Sequence, residues 1–354
     1  MNLRFFINAI ASIIIFTSII AAQNDTLQVT PNASPESVKL LQYIYSISGN
    51  HILTGQHSVP LFGSLRLPAV QKTVKLYPAV FGQDFGFSEP GTWDGINYRQ
   101  QIVDEAIRRY NEGFIITIMW HAVRPIEEEP VDFHKSIQGK LTDDEWNDLI
   151  TPGTEINEHW KSQVDVIAFF LKQLKYAGVP VLWRPYHEMN GGWFWWGQKR
   201  GENGYKKLYR MLYDRLVNFH KLNNLIWVYN TNEVKPGVDH YADYYPGDDV
   251  VDILATDVYT EGFNQENYDE LLDLAKTKPI ALGEVGAVPS LDIIHSQPKW
   301  TWFMLWGSPG AGGFGDFQKF MDFKNVYESD EAITYNELPW VYNPNPRVHY
   351  PVLK

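Results

Sequence analysis

The chain has 354 residues, 44% of them hydrophobic, which is enough for two domains or for one large barrel with a sizeable buried core. Its net charge of −12 and its lack of long Lys/Arg runs disfavour nucleic acid as a partner. The sequence contains no cysteine, which excludes disulfides, thiolate metal sites and a catalytic thiol.

The N-terminus has the pattern of a secretory signal peptide. A short basic start precedes an almost wholly apolar run over residues 5–20, and two alanines then lead into a polar stretch. This order predicts cleavage near Ala22, so residues 1–22 are interpreted as a signal peptide and the protein as exported, to the periplasm or the medium. A membrane anchor is the alternative, but the run is short for a full span. Export without cysteines is typical of bacterial periplasmic or secreted enzymes.

The rest of the chain is predicted to form one domain. Residues 23–35 are polar and are interpreted as a tether, and 36–354 as the folded domain, which begins with a helix over 35–47. Eight apolar or β-branched runs follow in chain order, over 52–57, 79–84, 114–121, 181–188, 225–230, 253–259, 279–284 and 301–306. Most are continuous rather than alternating, which indicates strands covered on both faces.

The segments between these runs carry apolar residues at helical spacing. Eight strands that alternate with helices predict an α/β fold, a single-domain (β/α)8 TIM barrel. A doubly wound open sheet is the alternative, and it is disfavoured because no glycine-rich phosphate loop follows the first strand.

Polar side chains stand at the ends of most predicted strands. The fifth run ends at Asn230 and the eighth at Trp306, and the other six end at His57, Asp84, His121, Glu188, Tyr259 and Glu284. In a barrel enzyme the chemistry lies at the carboxyl ends of the strands. We therefore expect these side chains to converge on a single cleft.

Two strand ends carry glutamates. Glu188 precedes a segment with two glycines and four aromatic residues over 189–196, and Glu284 ends the seventh run. Glycoside hydrolysis needs two carboxylates that flank the scissile bond; about 5–5.5 Å apart, one attacks the anomeric carbon and the other protonates the leaving oxygen. A lone glutamate at a strand end is more often a salt-bridge partner. The pair and its aromatic context, rather than either residue alone, indicate catalysis on a sugar.

The run RPYHEMNGGWFWWG over residues 184–197 resembles the acid/base signature of glycoside hydrolase family 26, the β-mannanases. Residues 282–286 are similar to the nucleophile segment of that family, and shorter matches at 54–56, 120–121 and 257–259 extend the resemblance over most of the chain. His187 stands where the wider clan usually has asparagine, and this change is typical of family 26. The resemblance implies a (β/α)8 barrel and retention of anomeric configuration.

The resemblance also implies a role for each matching residue. Glu188 is the expected acid/base and Glu284 the expected nucleophile. The expected substrate-binding residues are His121, His187, Trp193, Tyr259 and Trp306. Among them, Tyr259 should hold Glu284 ionised and aimed, and Trp306 should form the floor under the distorted sugar ring. Arg184 is expected to brace the two glutamates from behind.

Asp84 and the pair Trp195 and Trp196 are less sharply predicted than the residues above. Asp84 is interpreted either as a buried structural acid or as a sugar ligand. One of Trp195 and Trp196 is expected to face inward and the other to form a platform. No metal or cofactor is predicted, because Gly191 stands where a zinc-protease motif beginning at His187 needs its second histidine.

The leading hypothesis is therefore an exported, monomeric, retaining β-1,4-mannanase that acts on mannan, glucomannan or galactomannan, in endo or exo mode. The same mechanism on β-1,3-xylan or on mixed-linkage β-glucan is the closest alternative, because motifs at the point of cleavage do not separate these sugars. A non-catalytic glycan-binding protein is an alternative of another class, and the presence of both glutamates argues against it. Polysaccharide is the expected partner, with no contact to a membrane after removal of the signal peptide.

Overall fold

The computed structural model describes residues 28–58, 66–86, 95–129, 131–259, 263–307, 309 and 317–341. The predicted signal peptide over 1–22 lies outside the described residues, as do positions 23–27 of the predicted tether. Within the described ranges, every helix is too short or too polar to cross a membrane.

Eight parallel strands close into a barrel, which confirms the predicted fold. The first strand is interrupted at Thr54 and forms two short pieces, β1 and β2, which both pair with β9; β9 also pairs with β8 and so closes the ring. The strands are β1 Ile52–Leu53, β2 Gly55–His57, β3 Val80–Asp84, β4 Ile115–Trp120, β5 Val181–Pro185, β6 Leu225–Asn232, β7 Ile253–Val258, β8 Ile280–Val285, β9 Trp300–Leu305 and β10 Ala332–Ile333, which pairs with β1.

The eight predicted runs coincide with these strands, and the fourth run differs most. It was predicted to continue to Glu188, but β5 ends at Pro185. Proline lacks the N–H that a strand ladder needs, and the next residue, Tyr186, has φ +49°, which takes the backbone out of the extended region. Glu188 therefore lies in the loop that leaves the strand rather than on the strand itself.

Helices cover the outside of the barrel. They are α1 Pro35–Ile47, α2 Arg66–Val74, α3 Arg99–Glu112, α4 Asp143–Leu149, α5 Glu155–Tyr176, α6 Tyr205–Tyr213, α7 Gln265–Ala275, α8 Leu291–Ser296 and α9 Phe317–Tyr327. The predicted helix over 35–47 is confirmed residue for residue, with Ser34 as its N-cap. Short π-helical turns occur at Phe133–Ile137 and Asp214–Phe219.

The longest helix shows how the apolar pattern builds the core. In α5, the side chains that step by three and four along the sequence face the barrel and are buried: Trp160, Val164, Ile167, Leu171 and Leu174. Burying an aliphatic side chain of this size stabilises the fold by about 1.5–3 kcal/mol relative to leaving it exposed. Repeated around the ring, this burial fixes the strands whose carboxyl ends carry the polar residues.

Residues 28–34 lie against the amino end of β6. The carboxylate of Asp252 accepts hydrogen bonds from the backbone N of Val29 at 2.7 Å and of Trp227 at 2.8 Å, and the hydroxyl of Tyr213 donates to the Val29 carbonyl at 2.6 Å. Burial raises the pKa of Asp252 to about 7. The segment that enters the domain is thus attached at the end of the barrel opposite the strand ends that carry the polar residues.

Candidate active site

The residues singled out from the sequence lie together at the carboxyl ends of the strands. His121 directly follows β4, Glu188 lies in the loop after β5, Tyr259 directly follows β7, and Glu284 is the second-to-last residue of β8. His121, His187, Glu188 and Glu284 are buried, whereas Trp193 and Trp306 are half-buried and Tyr259 is 40% exposed. The fold therefore brings these side chains together at the carboxyl ends of the strands, as the sequence predicts.

An unusual backbone path places Glu188. Tyr186 and Glu188 have φ values of +49° and +55°, a left-handed conformation that costs a residue with a side chain about 1–3 kcal/mol. The backbone N of Glu188 is held by the carbonyl of Asn230 at 2.8 Å. A Cβ on Gly191 would lie 2.0 Å from the indole of Trp193, so glycine is required there for the ring to fold back over the loop.

The carboxylate of Glu188 has a donor on each oxygen. Trp193 Nε1 donates to Oε2 at 2.6 Å, and Asn232 Nδ2 donates to Oε1 at 2.9 Å. Burial, and after it the negative charge of Glu284, raise the pKa of Glu188 to about 7, although the two hydrogen bonds act in the opposite direction. A carboxyl group with this pKa can hold a proton near neutral pH and can also release it.

Glu284 lies in a different environment. Tyr259 donates its hydroxyl to Oε2 at 2.6 Å, Arg184 Nη2 lies 3.5 Å from Oε1, and His187 Nε2 lies 3.8 Å from Oε1. A Cβ on the preceding Gly283 would lie 1.8 Å from Asn230 Oδ1, so only glycine allows the strand to approach this closely. A hydroxyl donor and a guanidinium at the same carboxylate hold it in a fixed orientation.

Behind Glu284 lies a fully buried polar network. Arg184 Nη1 donates to Asn230 Oδ1 at 2.8 Å, and Asn230 Nδ2 donates to Asp257 Oδ1 at 2.8 Å. Burial, and then the charges of Glu284 and Glu188, raise the pKa of Asp257 well above its usual value. The predicted bracing by Arg184 is present at Glu284, and Asn230 ties that arginine to the next strand.

The ligand atoms of His187, Asp257 and Glu284 lie within 4.8 Å of one another, a spacing that a metal ion could span. Arg184, however, lies 3.5 Å from the carboxylate of Glu284 and 3.8 Å from that of Asp257, so its guanidinium already supplies positive charge there. A divalent cation at that point would be repelled by this fixed charge. We therefore interpret the three residues as part of the Arg184 network.

Asp84 and His121 form a buried pair. Asp84 accepts hydrogen bonds from the ring Nδ1 of His121, from its backbone N at 3.2 Å and from the backbone N of Gly86 at 2.6 Å. Burial lowers the pKa of His121, but the charge and hydrogen bond of Asp84, together with the charges of Glu284 and Glu188, outweigh burial, so the pKa of His121 is raised. Of the two interpretations of Asp84, the structural acid is the one that its full burial and occupied oxygens support.

Aromatic rings complete the walls of the cleft. The ring of His121 stands edge-on to that of His187, with centroids 4.4 Å apart, and His57 stacks on Trp306 at 4.0 Å. Burial lowers the pKa of His187 well below its usual value, and the positive charges of His121 and Arg184 lower it further. His187 is thus a neutral hydrogen-bonding group, and its ring centroid lies 5.2 Å from that of Phe194.

The expectation for the tryptophan pair was wrong in one respect. Trp195 and Trp196 are both fully buried, and their Nε1 atoms donate to the carbonyls of Ala122 and His187, each at 2.7 Å. Neither forms a platform in the cleft. An indole that finds a backbone acceptor satisfies its only polar atom and is stable in a core, and sequence alone does not reveal such an acceptor.

Sequence reasoning missed Asn232, and it included Asp257 in the match at 257–259 without giving that residue a role. The strand register sets them side by side with Glu284, because Asn232 pairs with Asp257 across β6 and β7, and Asp257 pairs with Glu284 across β7 and β8. Asn230 was noted as a strand end. Since side chains two residues apart in a strand share a face, that observation could have led to Asn232.

The chain is similar to known proteins of one family. The family model described as Glycosyl hydrolase family 26 matches residues 29–334. A protein of Thermothelomyces thermophilus named mannan endo-1,4-beta-mannosidase is 37% identical over 316 residues, which cover 87% of this chain and 62% of that protein. The chain spans between 51% and 62% of the lengths of three relatives that carry this name.

Two solved structures are similar along most of this chain. The structure of GH26A from a Muricauda species has a TM-score of 0.80 and 47% sequence identity, and the match covers 86% of this chain and 98% of that one. A β-mannanase from a symbiotic protist of the termite Reticulitermes speratus, complexed with gluco-manno-oligosaccharide, has a TM-score of 0.75 and 29% identity, with coverage of 88% and 97%.

Proposed function

The chain belongs to glycosyl hydrolase family 26, and from that premise we propose that it is a retaining β-1,4-mannanase acting on mannan, glucomannan or galactomannan. The observation that carries the proposal is the contrast between two buried glutamates in one cleft. The pKa of Glu188 is raised to about 7, whereas Glu284 is held by a tyrosine hydroxyl and a guanidinium. The names of the relatives support the choice of mannan.

In the first step, Glu284 is the nucleophile. An electron pair of its carboxylate forms an ester bond to the anomeric carbon, and the glycosidic C–O bond breaks. Glu188 donates its proton to the departing oxygen, so the leaving sugar departs as an alcohol. Tyr259, at 2.6 Å from Oε2, keeps the attacking carboxylate oriented.

In the second step, Glu188 is the base. Once Glu284 is an ester, it no longer carries the charge that raises the pKa of Glu188. Glu188 then takes a proton from water while the water oxygen attacks the anomeric carbon, and the ester bond breaks to restore both carboxyl groups. Two displacements at the same carbon give net retention of configuration.

The remaining cleft residues bind and orient the sugar. We assign the buried His121 and His187 to hydroxyl groups of the sugar that is attacked, and the half-buried Trp306 to the apolar face of its ring. Trp193, which donates to Glu188 at 2.6 Å, orients the acid and contacts the leaving sugar. Neither step needs a cofactor, because both proton transfers and the nucleophile come from side chains of the chain.

Export and assembly form a second part of the proposal. Residues 1–22 act as a signal peptide, so the enzyme works in the periplasm or the medium, without membrane attachment after processing. The polysaccharide substrate is too large to cross a membrane unaided, which supports a location outside the cytoplasm. We assign a monomer, since both catalytic glutamates and their hydrogen-bond partners come from one chain.

The test of function is product analysis. Purified protein is expected to release new reducing ends from β-1,4-mannan, and mannohexaose should give several product lengths from the earliest time points, as expected of an endo enzyme. Mannobiose alone at those points would instead indicate exo action. Faster hydrolysis of lichenan or β-1,3-xylan would assign another sugar, and saturable binding of polysaccharide without new reducing ends would indicate a binding protein.

The pH profile should follow the protonation of Glu188. Because the pKa of Glu188 is raised to about 7, kcat/KM on soluble mannan is expected to fall as pH rises through that value and the acid loses its proton. An aryl β-mannobioside with a good leaving group needs no proton from the enzyme, so its kcat/KM should lack this basic limb. The same basic limb on both substrates would contradict the assignment of the acid.

A further inference from the structure

Asn232, the last residue of β6, is held beside Glu188 by hydrogen bonds of both its backbone and its side chain. Its backbone N donates to Asn190 Oδ1 at 2.7 Å, and Asn190 Nδ2 donates to its carbonyl at 2.8 Å. The side chain of Asn232 is 3% exposed, and its Nδ2 donates to Glu188 Oε1 at 2.9 Å. Asn190 therefore fixes the backbone of Asn232, and the side-chain amide of Asn232 remains directed at the carboxyl group of Glu188.

The two side chains that contact Glu188 differ in what they can accept. The indole N–H of Trp193 is only a donor, so it suits an ionised carboxylate and cannot bind a carboxyl proton. The amide of Asn232 has a donor at one end and an acceptor at the other. Within the part of the chain that the structure describes, Asn232 Oδ1 is buried and has no hydrogen-bond partner.

We propose that Asn232 is a positioning residue that matches both protonation states of Glu188, donating through Nδ2 to the ionised form and accepting through Oδ1 from the protonated form. A rotation of about 180° about the terminal torsion exchanges the two ends, and that torsion is broad and roughly two-fold in asparagine. The inference rests on the proposed function, in which Glu188 is an acid in one step and a base in the next.

The surroundings of Glu188 define what the loss of Asn232 should do. Two charged groups act on Glu188: Glu284 from β8 and His121 from the end of β4. The charge of Glu188 in turn raises the pKa of Asp257 and of Tyr259 at the end of β7. Burial and Glu284 disfavour the ionised form, and the hydrogen bonds from Asn232 and Trp193 favour it. Without the Asn232 donor, the ionised form loses one of its two partners and the pKa of Glu188 rises further.

The test uses two variants of the full chain, Asn232→Leu and Asn232→Asp. Asn232→Leu removes both the donor to the ionised form and the acceptor for the protonated form. Since the hydrogen bond to the charged form is the stronger of the two, the basic limb of kcat/KM on mannan should move upward, by about one pH unit or less. Asn232→Asp has the same size, and its negative charge should move the limb at least as far. On the aryl β-mannobioside, where the base-catalysed second step limits kcat, kcat should fall at pH values below the pKa of Glu188 in the covalent intermediate, by up to about tenfold.

The matched control is Asn224→Leu. Asn224 is also a buried asparagine whose Nδ2 donates a hydrogen bond, to the carbonyl of Val179 at 2.9 Å, but it precedes the amino end of the same strand, away from the cleft. Its replacement should lower the melting temperature and leave both pH profiles in place. The contrast separates loss of a buried amide in general from loss of this amide.

Some outcomes would overturn the inference. The inference is contradicted if the Asn232 variants fold and the basic limb of kcat/KM on mannan stays where it is in the wild type. It is also contradicted if the variants lose the same factor of activity on both substrates at every pH. Failure of both variants to fold would assign Asn232 to stability and also contradict the proposal. If the wild type releases no products from mannan, the proposed function fails instead, so the two failures can be distinguished.

Discussion

Replacing Glu284 by alanine is expected to reduce kcat/KM on mannan by about 10⁴-fold or more, because the enzyme then lacks the group that forms the covalent intermediate. The same loss is expected on an aryl β-mannobioside, since a better leaving group does not replace a nucleophile. Initial rates on both substrates measure the effect. Activity within about tenfold of the wild type on either substrate would contradict the role of Glu284.

Azide identifies the face from which attack occurs. In Glu284→Ala, azide that enters the vacated space should attack the anomeric carbon from the side of the missing carboxylate and release an α-mannosyl azide, with inverted configuration. The buried charge is lost in the same variant, so the pKa of Glu188 should fall below about 7. Glu105→Ala is the control, because Glu105 is a buried acid that pairs with Arg109 on α3, outside the cleft.

The barrel could be predicted from sequence because its strands are buried on both faces. Continuous apolar runs and helical spacing between them are local signals, and parallel strands with covered faces leave few other architectures. The meeting of Glu188 and Glu284, 284 − 188 = 96 positions apart, followed from the rule that strand ends converge at one face. The resemblance to family 26 then named the role of each.

What escaped prediction depends on partners in neighbouring strands. Asn232 and Asp257 belong to the site because of the strand register. Asn232 pairs with Asp257 across β6 and β7, and Asp257 pairs with Glu284 across β7 and β8. Likewise, the burial of Trp195 depends on a carbonyl acceptor at Ala122, 73 residues away in the chain. Such pairings are set by the packed barrel. The spacing from Asn230 points to the face that Asn232 shares, but it does not identify the partners of Asn232, Asp257 or Trp195 in the neighbouring elements.

The different surroundings of Glu188 and Glu284 explain how, in the proposed mechanism, one cleft can hold an acid and a nucleophile of the same residue type. Two carboxylates in a low-dielectric site resist being ionised together. Arg184 and Tyr259 contact the carboxylate of Glu284, whereas the donors to Glu188 among the described residues, Trp193 and Asn232, are neutral. In the proposed mechanism the proton is therefore on Glu188 in the free enzyme, and it passes to the leaving oxygen as Glu284 forms the ester.

This division of charge leads to a different expectation for Glu188→Ala than for Glu284→Ala. Without its acid, the enzyme should lose about 10²–10⁴-fold in kcat/KM on mannan, whose leaving sugar needs a proton. On an aryl β-mannobioside with a good leaving group, the first step should be largely spared and the covalent intermediate should accumulate, because the base that activates water is missing. A burst of released phenol followed by slow turnover would measure this.

The configuration of the azide product also distinguishes an acid/base role of Glu188 from a nucleophile role. In Glu188→Ala, azide in the vacated space should attack the covalent intermediate from the side opposite Glu284, raise the steady-state rate and release a β-mannosyl azide with retained configuration. The basic limb near pH 7 should also disappear on mannan, since the titrating acid is gone. If azide instead gave the α product in this variant, Glu188 would be on the wrong face of the sugar to protonate the leaving oxygen, and the assignment of the two glutamates would have to be reversed.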